Sequence, residues 1–271
     1  MRQALVGITI GAAVLLRASV VGAADPPARP LMTCPVDAVA SGSTCMDKYE
    51  ASVGRVPDPT TVNTALVAKI RSGTVTAAAL TTGGAMLLGL VAGDYAPCAE
   101  SGQNCANDIY AASLPGVTPS AYATWFQAQQ ACKNAGKRLP TSAEWQAAAG
   151  TRDPGPDNGT TDCNTHSTFS PVDTGSRHGC VSSRGAFDMA GNLSEWVAEW
   201  VPRSVTCETW GADVSPTLDF QCLAGAVTAG GPGALLRGGG FLSGSDAGPL
   251  AIDGSIQPSF SDSTIGFRCA R

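Results

Sequence analysis

Ten cysteines constrain this 271-residue chain more than any other feature, because cross-links between them would fix much of the fold. All ten follow residue 33, and an even number of cysteines behind an export signal predicts disulfides. Their spacing suggests four local pairs and leaves one long-range pair, although spacing alone does not fix the connectivity. The suggested local pairs are Cys34 with Cys45, Cys98 with Cys105, Cys163 with Cys180, and Cys207 with Cys222. Cys132 and Cys269 are left for the long-range pair.

The export signal is the N-terminal segment 1–24, which has the three parts of a secretory signal peptide. A basic N-terminus precedes the apolar run Ala4–Leu16, and small residues follow. Arg17 interrupts the run before the roughly 20 residues needed to cross a bilayer, so a membrane anchor is the weaker interpretation. A proline-rich linker at 25–33 and a single domain at 34–271 complete the predicted organisation. We therefore expect a secreted or periplasmic protein without stable membrane insertion.

Composition excludes several classes of function. The chain is 44% hydrophobic and carries a net charge of -5, which predicts a globular protein and argues against nucleic acid as a partner. His166 and His178 are the only histidines, and no Cys-x-x-Cys pair occurs. A zinc site or a two-histidine iron centre is therefore poorly supported.

The segment Gly185–Trp200 gathers glycines, carboxylates and two tryptophans in sixteen residues. Its pattern predicts a loop that enters a short helix, with Trp196 and Trp200 on one face of that helix. Asn192 and Glu195 offer oxygen ligands three positions apart. The alternative is that these two polar side chains only cap the turn.

Two further helices are predicted with more detail. The first begins at Thr118 and ends at Gly136, and the second begins at Thr141 with a capping box to Glu144 and ends near Gly150. Small helices are expected between residues 60 and 96, including one at Leu87–Val91. Short strands are expected at 45–50, 235–241 and 265–271.

Four motifs in chain order resemble the sulfatase-modifying-factor family, typified by formylglycine-generating enzyme. They are Arg138–Trp145, Phe187–Trp196, Arg237–Phe241 and Gly266–Arg268, and Tyr49-Glu50 extends the resemblance toward the start of the domain. The resemblance implies a variant C-type-lectin-like α+β fold. Such a fold has low regular secondary structure, two main helices, small mixed sheets and long loops, with calcium as a structural ion.

The resemblance also assigns roles to individual residues. Cys132 and Cys269 match a disulfide of the family, which agrees with the long-range pair left over from the spacing. Asn192 and Glu195 match a calcium site of the family, where hard oxygen ligands would surround the ion. Asn164 resembles the first ligand of a second calcium site.

One departure from the family is decisive for function. In the enzymes of the family, two cysteines five residues apart bind copper and oxidise a cysteine of the substrate. Ser243 and Gly248 occupy those positions here, so no copper is expected, because serine is a poor copper(I) ligand and glycine has no side chain. Ser194 stands where relatives commonly carry tryptophan.

Two functions are therefore weighed. The first is a non-catalytic protein that presents its C-terminal loop, Ser243–Ser263, to an unknown ligand such as a protein or peptide. Its ligand-binding residues would be Ser243, Asp246, Asp253 and Phe260. The second is an oxidoreductase of the formylglycine-generating type, or a non-haem-iron relative. A loop that is only a solvated connection is the remaining alternative.

Overall fold

The computed structural model describes residues 32–105, 108–151, 155–203 and 231–271. The described strands are β1 (Ala38–Ser41), β2 (Thr44–Asp47), β3 (Ala51–Arg55), β4 (Met86–Leu88), β5 (Ile109–Ser113), β6 (Ser194–Pro202), β7 (Pro232–Gly238), β8 (Gly248–Asp253) and β9 (Ile265–Phe267). The described helices are α1 (Thr64–Ser72), α2 (Ala77–Thr82), α3 (Trp125–Asn134) and α4 (Ser142–Ala149). The predicted signal peptide, most of the predicted linker, Cys207 and Cys222 lie outside the described residues.

Three small sheets organise these strands. The largest has the order β8-β7-β6-β9, with β9 parallel to β6 and the other pairs antiparallel. A second sheet has the order β4-β3-β5, and β1 pairs with β2. The mixed sheets, the short strands and the long connections agree with the α+β class and the variant C-type-lectin-like fold expected from the sequence.

The segment predicted as a short helix after Asn192 is the strand β6, so that prediction is wrong. Backbone pairing with β7 on one side and β9 on the other fixes the strand, because tertiary pairing overrides local helix signals. Trp196 is fully buried, but Trp200 is 43% exposed, so the two tryptophans do not share one environment. Trp200 lies beyond a register shift in the pairing with β7 and packs against the edges of Trp125 and Phe126.

Helix α3 begins later than the sequence predicts. Thr124, not Thr118, caps it: the Thr124 hydroxyl accepts from the Gln127 backbone N–H at 3.2 Å, and Gln127 Oε1 accepts from the Thr124 backbone N–H at 3.0 Å. Tyr122 has φ +55°, a left-handed backbone conformation that does not continue an α-helix. The predicted end of the helix is confirmed, since α3 stops two residues before Gly136.

Helix α4 matches its prediction. Thr141 is the N-cap, Glu144 completes the capping box, and Trp145 is fully buried. The small helices predicted after residue 60 are α1 and α2. No helix forms at Leu87–Val91, because this segment contributes to β4 and Leu88 pairs with Val53 of β3.

Four disulfides connect the eight described cysteines. The three described local pairs are those suggested by spacing. The Cys132–Cys269 bridge, with Cα atoms 5.7 Å apart, is the long-range pair and joins α3 to the chain after β9. No helix in the described ranges is long and apolar enough to span a bilayer.

Candidate functional site

Strand β6 separates two regions with different chemistry. Successive residues of a strand point to opposite faces, so Ser194 and Glu195 face different surroundings. Glu195 enters a network of buried charges, whereas Ser194 lines a cavity. We call the first region the buried charge network, made of Glu50, Asp188, Glu195 and Arg268.

The centre of the buried charge network is an ion pair between Glu195 and Arg268. Arg268 donates from Nε to Glu195 Oε2 at 2.7 Å and from Nη2 to Oε1 at 2.5 Å. Trp145 Nε1 donates to the same Oε2 at 2.8 Å. Both charged side chains are fully buried, and a bidentate pair of this kind fixes the orientation of both groups. The motifs that contain Trp145, Glu195 and Arg268 therefore meet at one point in the core.

Glu50 and Asp188 add two more buried carboxyl groups. Glu50 accepts from Asn192 Nδ2 at 2.5 Å and from the Leu193 backbone N–H at 2.9 Å. Burial, with added repulsion from Asp188 and Glu195, raises the pKa of Glu50 well above its ordinary value. Burial likewise raises the pKa of Asp188 to about 6. Two carboxyl groups whose pKa burial raises thus lie beside the Glu195–Arg268 ion pair.

The predicted calcium ligands fall into two groups. Asn164 and Asn192 are neighbours, with Asn164 Nδ2 donating to Asn192 Oδ1 at 3.2 Å, and Asn164 Oδ1 accepts from the Thr168 hydroxyl at 2.7 Å. Glu195 bonds to neither asparagine, because its carboxylate oxygens accept hydrogen bonds from Arg268 and Trp145. Asn164 and Asn192 are thus bonded to each other, whereas Glu195 is bonded to Arg268 and Trp145. Calcium stays a prediction that rests on the family resemblance.

The cavity on the other face of β6 is the C-terminal pocket, with a volume of about 350 Å³. It is lined by Ser194, Leu236, Gly240, Leu242, Ser243, Asp253, Ile256, Phe260, Asp262, Thr264 and Ile265. Three of the predicted ligand-binding residues, Ser243, Asp253 and Phe260, thus line the same cavity. Asp246 and Gly248 are not part of the lining: Asp246 lies in a short 3-10 turn and Gly248 is buried at the start of β8.

Ser243 is held in place by the turn that follows β7. Its hydroxyl accepts from the Gly240 backbone N–H at 2.9 Å, and its own N–H donates to the Gly240 carbonyl at 3.0 Å. Gly239 has φ +69°, and a Cβ there would lie 2.8 Å from Ala247 Cα, so only glycine fits this close approach. The glycine run thereby brings Ser243 to the mouth of the cavity.

Sequence reasoning did not identify the apolar part of the lining. Leu236 and Ile265 form its floor from β7 and β9, and Ile256 packs beside them. The inward alternation of β7 would have indicated Leu236, but no local signal connects Ile256 to β6. Ser194 was noted only as a departure from tryptophan, although it opens directly onto the cavity.

A second cavity of about 450 Å³ lies near Leu90, Tyr122 and Phe169. Phe169 is 90% exposed, and Tyr122 carries the left-handed backbone described above. None of the residues in its lining is a predicted site residue.

The model of the sulfatase-modifying factor enzyme 1-like domain matches residues 98–271, which is more than half of the chain. Among curated relatives, a formylglycine-generating enzyme of Streptomyces coelicolor is 30% identical over 178 residues, covering 56% of this chain and 52% of the enzyme. Serine/threonine-protein kinase pkn1 of Chlamydia caviae is 32% identical over 151 residues, covering 55% of this chain and 23% of the kinase. The chain thus spans about half of the first relative's length and about a quarter of the second's.

Solved structures with related architecture include PvdO from Pseudomonas aeruginosa, at 18% identity and a TM-score of 0.45, covering 84% of this chain and 80% of that one. The P3c variant of the Major Tropism Determinant matches at 22% identity and a TM-score of 0.38, covering 60% of this chain and 45% of that one. These likenesses are low and carry no functional argument. Family membership rests on the family model, which matches more than half of the chain, and the ordered motifs agree with it. This chain belongs to the sulfatase-modifying factor enzyme 1-like domain family.

Proposed function

We propose that this chain is a non-catalytic, extracytoplasmic member of the family whose C-terminal pocket binds a ligand. The observation that carries the proposal is the chemistry of the turn after β7. Ser243 and Gly248 stand where the family resemblance expects two cysteines, so the turn offers no thiolate. Copper and oxygen chemistry at this point needs soft sulfur ligands.

The other cysteines of the described chain do not supply a substitute. All eight are in disulfides, and the nearest in sequence to this turn, Cys269, is fully buried in its bridge to Cys132. Four disulfides in a domain of this size also suit an oxidising compartment, which supports export from the cytoplasm.

The pocket itself supports binding. A volume of about 350 Å³ is within the usual range for small-ligand sites, and its lining combines an apolar floor with a few polar groups. Ser194, Ser243, Asp253, Asp262 and Thr264 supply the polar groups, while Phe260 and Leu242 form an exposed apolar rim. A rigid, disulfide-tied scaffold that carries its site on a loop is a common arrangement in binding proteins.

The proposal is tested by assaying the purified, oxidised protein for free thiols, bound copper and oxidation of a cysteine-containing peptide. We expect no reactive thiol, no stoichiometric copper and no peptide oxidation. The matched control is the double variant Ser243→Cys, Gly248→Cys, which restores the thiol pair and is expected to bind copper(I). Stoichiometric copper with two reactive thiols in the unaltered protein would overturn the proposal.

The alternative is an oxidoreductase, which the similarity to the Streptomyces coelicolor enzyme favours. Peptide oxidation that persists in the unaltered protein without copper would support that alternative. The same assay therefore separates the two functions.

A further inference from the structure

The C-terminal pocket carries negative charge that no described residue neutralises in an ion pair. Asp253 and Asp262 line it, and neither carboxylate has an ion-pair partner among the described residues. The segment 204–230, which lies outside the described residues, contains no lysine or arginine. Arg203 donates to the Ser255 carbonyl at 2.8 Å and forms no ion pair with a described residue. A pocket of this charge favours a cationic ligand.

Both carboxylates are oriented by their own loops through one oxygen. Asp253 Oδ1 accepts from the Ser255 backbone N–H at 2.8 Å. Asp262 Oδ1 accepts from the Thr264 backbone N–H at 3.0 Å and from the Thr264 hydroxyl at 2.8 Å. Burial alone would raise the pKa of Asp262, but the bonds from Thr264 hold it below its ordinary value. The Oδ2 atoms of both residues accept no described hydrogen bond and remain available to a ligand.

A second observation, independent of the acidic residues, also points to a ligand. Ser194 is only 9% exposed, lines the cavity, and its hydroxyl has no hydrogen-bond partner in the described chain. A hydroxyl that faces a cavity and makes no hydrogen bond within the described chain can bond to a ligand without breaking an internal bond. Because serine replaces a bulky tryptophan of the relatives, the space beside this hydroxyl is part of the cavity.

Most of the remaining side chains of the lining are apolar, and Ser243 and Thr264 are the polar exceptions. Leu236 and Ile265 are buried at the floor, and Leu242 and Phe260 at the rim are 52% and 47% exposed. An apolar stem that carries a charged end group would bury its carbon atoms here while its charge meets the carboxylates.

We propose that the C-terminal pocket binds a primary ammonium group on a short apolar stem, presented by a lysine side chain of a polypeptide or by a free alkylamine. The ammonium lies between Asp253 and Asp262 and donates a further hydrogen bond to the Ser194 hydroxyl oxygen, and the stem packs on Leu236 and Phe260. This inference rests on the proposed function, because it names the ligand chemistry of the same pocket.

The test is calorimetric titration of the full, oxidised protein with N-acetyl-lysine methylamide. Its neutral isostere, N-acetyl-norleucine methylamide, measures the apolar contribution alone. We expect the lysine compound to bind at least about tenfold more tightly than the isostere, with affinity that falls as salt is added. Equal binding of both compounds, or no binding of either, would overturn the inference.

Variants locate the site. Asp253→Asn and Asp262→Asn each keep Oδ1 as an acceptor for the loop, and each is expected to weaken binding about three- to tenfold. Ser194→Trp fills the cavity and is expected to abolish binding without loss of folding, which circular dichroism and thermal melting check. Asp246→Asn is the matched control, since Asp246 does not line the pocket, and should leave affinity unchanged. An equal loss with Asp246→Asn would contradict the assignment.

Two further comparisons identify the source of the ammonium group and distinguish a failure of this inference from a failure of the proposed function. Stronger binding of a lysine-containing peptide than of n-butylamine supports a polypeptide ligand, and the reverse supports a free amine. If neither cation binds while the thiol and copper assays stay negative, this inference fails and the non-catalytic proposal stands. If peptide oxidation is found, the proposed function fails whatever the titration shows.

Discussion

The buried charge network and the C-terminal pocket include adjacent residues of β6, Glu195 and Ser194. They differ in how completely their polar atoms are hydrogen-bonded. Around Glu195, both carboxylate oxygens are engaged by Arg268, and Trp145 adds a third bond. Around Ser194, the hydroxyl and two carboxylates have unused bonding capacity. Saturated polar atoms in the core stabilise one arrangement of the chain, whereas unsaturated ones at a cavity are available to a ligand.

Among the variants that test this comparison, Arg268→Met is expected to lower the free energy of unfolding most. The substitution leaves Glu195 buried without its cation, beside Glu50 and Asp188. Loss of one partner of a buried ion pair costs about 3–5 kcal/mol in the free energy of unfolding, measured by urea denaturation.

The matched control is Arg203→Met, which removes an arginine that hydrogen-bonds to the Ser255 carbonyl and makes no ion pair in the described part of the chain. This variant should lose no more than about 1 kcal/mol. Similar losses in both variants would mean that the buried charge network does not stabilise the fold more than an ordinary hydrogen bond.

A smaller effect is expected from calcium removal. If calcium binds at Asn192 and Glu195, as the family resemblance implies, a chelator should lower the melting temperature and added calcium should restore it. At ten times the dissociation constant, a bound ion adds about 1.4 kcal/mol of stability. An Asn192→Ala variant that keeps the full calcium response in differential scanning fluorimetry would sink this assignment.

The next largest effect on stability is expected from removing the charge of Glu144. This residue lies in α4, the helix that also carries Trp145 of the buried charge network's surroundings. A hydrogen bond from Arg138 lowers the pKa of Glu144 to about 2. A carboxyl with a depressed pKa contributes stability above its unfolded pKa near 4.5 and loses it as pH falls toward 2.

Glu144→Gln keeps an N3 side chain that completes the capping box but removes the charge. Because the pair with Arg138 is partly exposed, the variant should be less stable by up to about 1 kcal/mol at pH 7 and equal to the original protein near pH 2. Urea denaturation at both pH values measures this. A difference that persists at pH 2 would contradict the linkage to ionisation.

The sequence predicted more of the structure around the buried charge network than of the C-terminal pocket. The capping box at Thr141 and Glu144 is local, so four residues are sufficient to predict it. The bridge between Cys132 and Cys269 was accessible because cysteines can be counted and matched to the family. In contrast, β6 was predicted as helix, because its local pattern does not reveal the strands on either side.

The pocket was only partly predictable for the same reason. Ser243, Asp253 and Phe260 were selected as polar or aromatic residues of one loop, and they do line one cavity. Ser194 and Leu236 come from separate strands, and only their pairing in the sheet brings them to that cavity. The spacing and composition of this sequence do not show which distant strands pair in the sheet.

The smallest effect on stability is expected from Asp253→Asn. The variant keeps the acceptor for the Ser255 N–H and disturbs no ion pair, so its free energy of unfolding should change by less than about 0.5 kcal/mol. A loss as large as that of Arg268→Met, by the same urea denaturation, would mean that the pocket is a structural element and not a site.

The bridge from Cys132 to Cys269 gives the chain a closed covalent loop of most of its C-terminal half, with a sequence separation of 137 residues. A single proteolytic cut anywhere between those two cysteines would therefore leave both fragments attached to each other. The loops that carry the pocket could be nicked without release of either piece, and such damage would be seen on gels only after reduction.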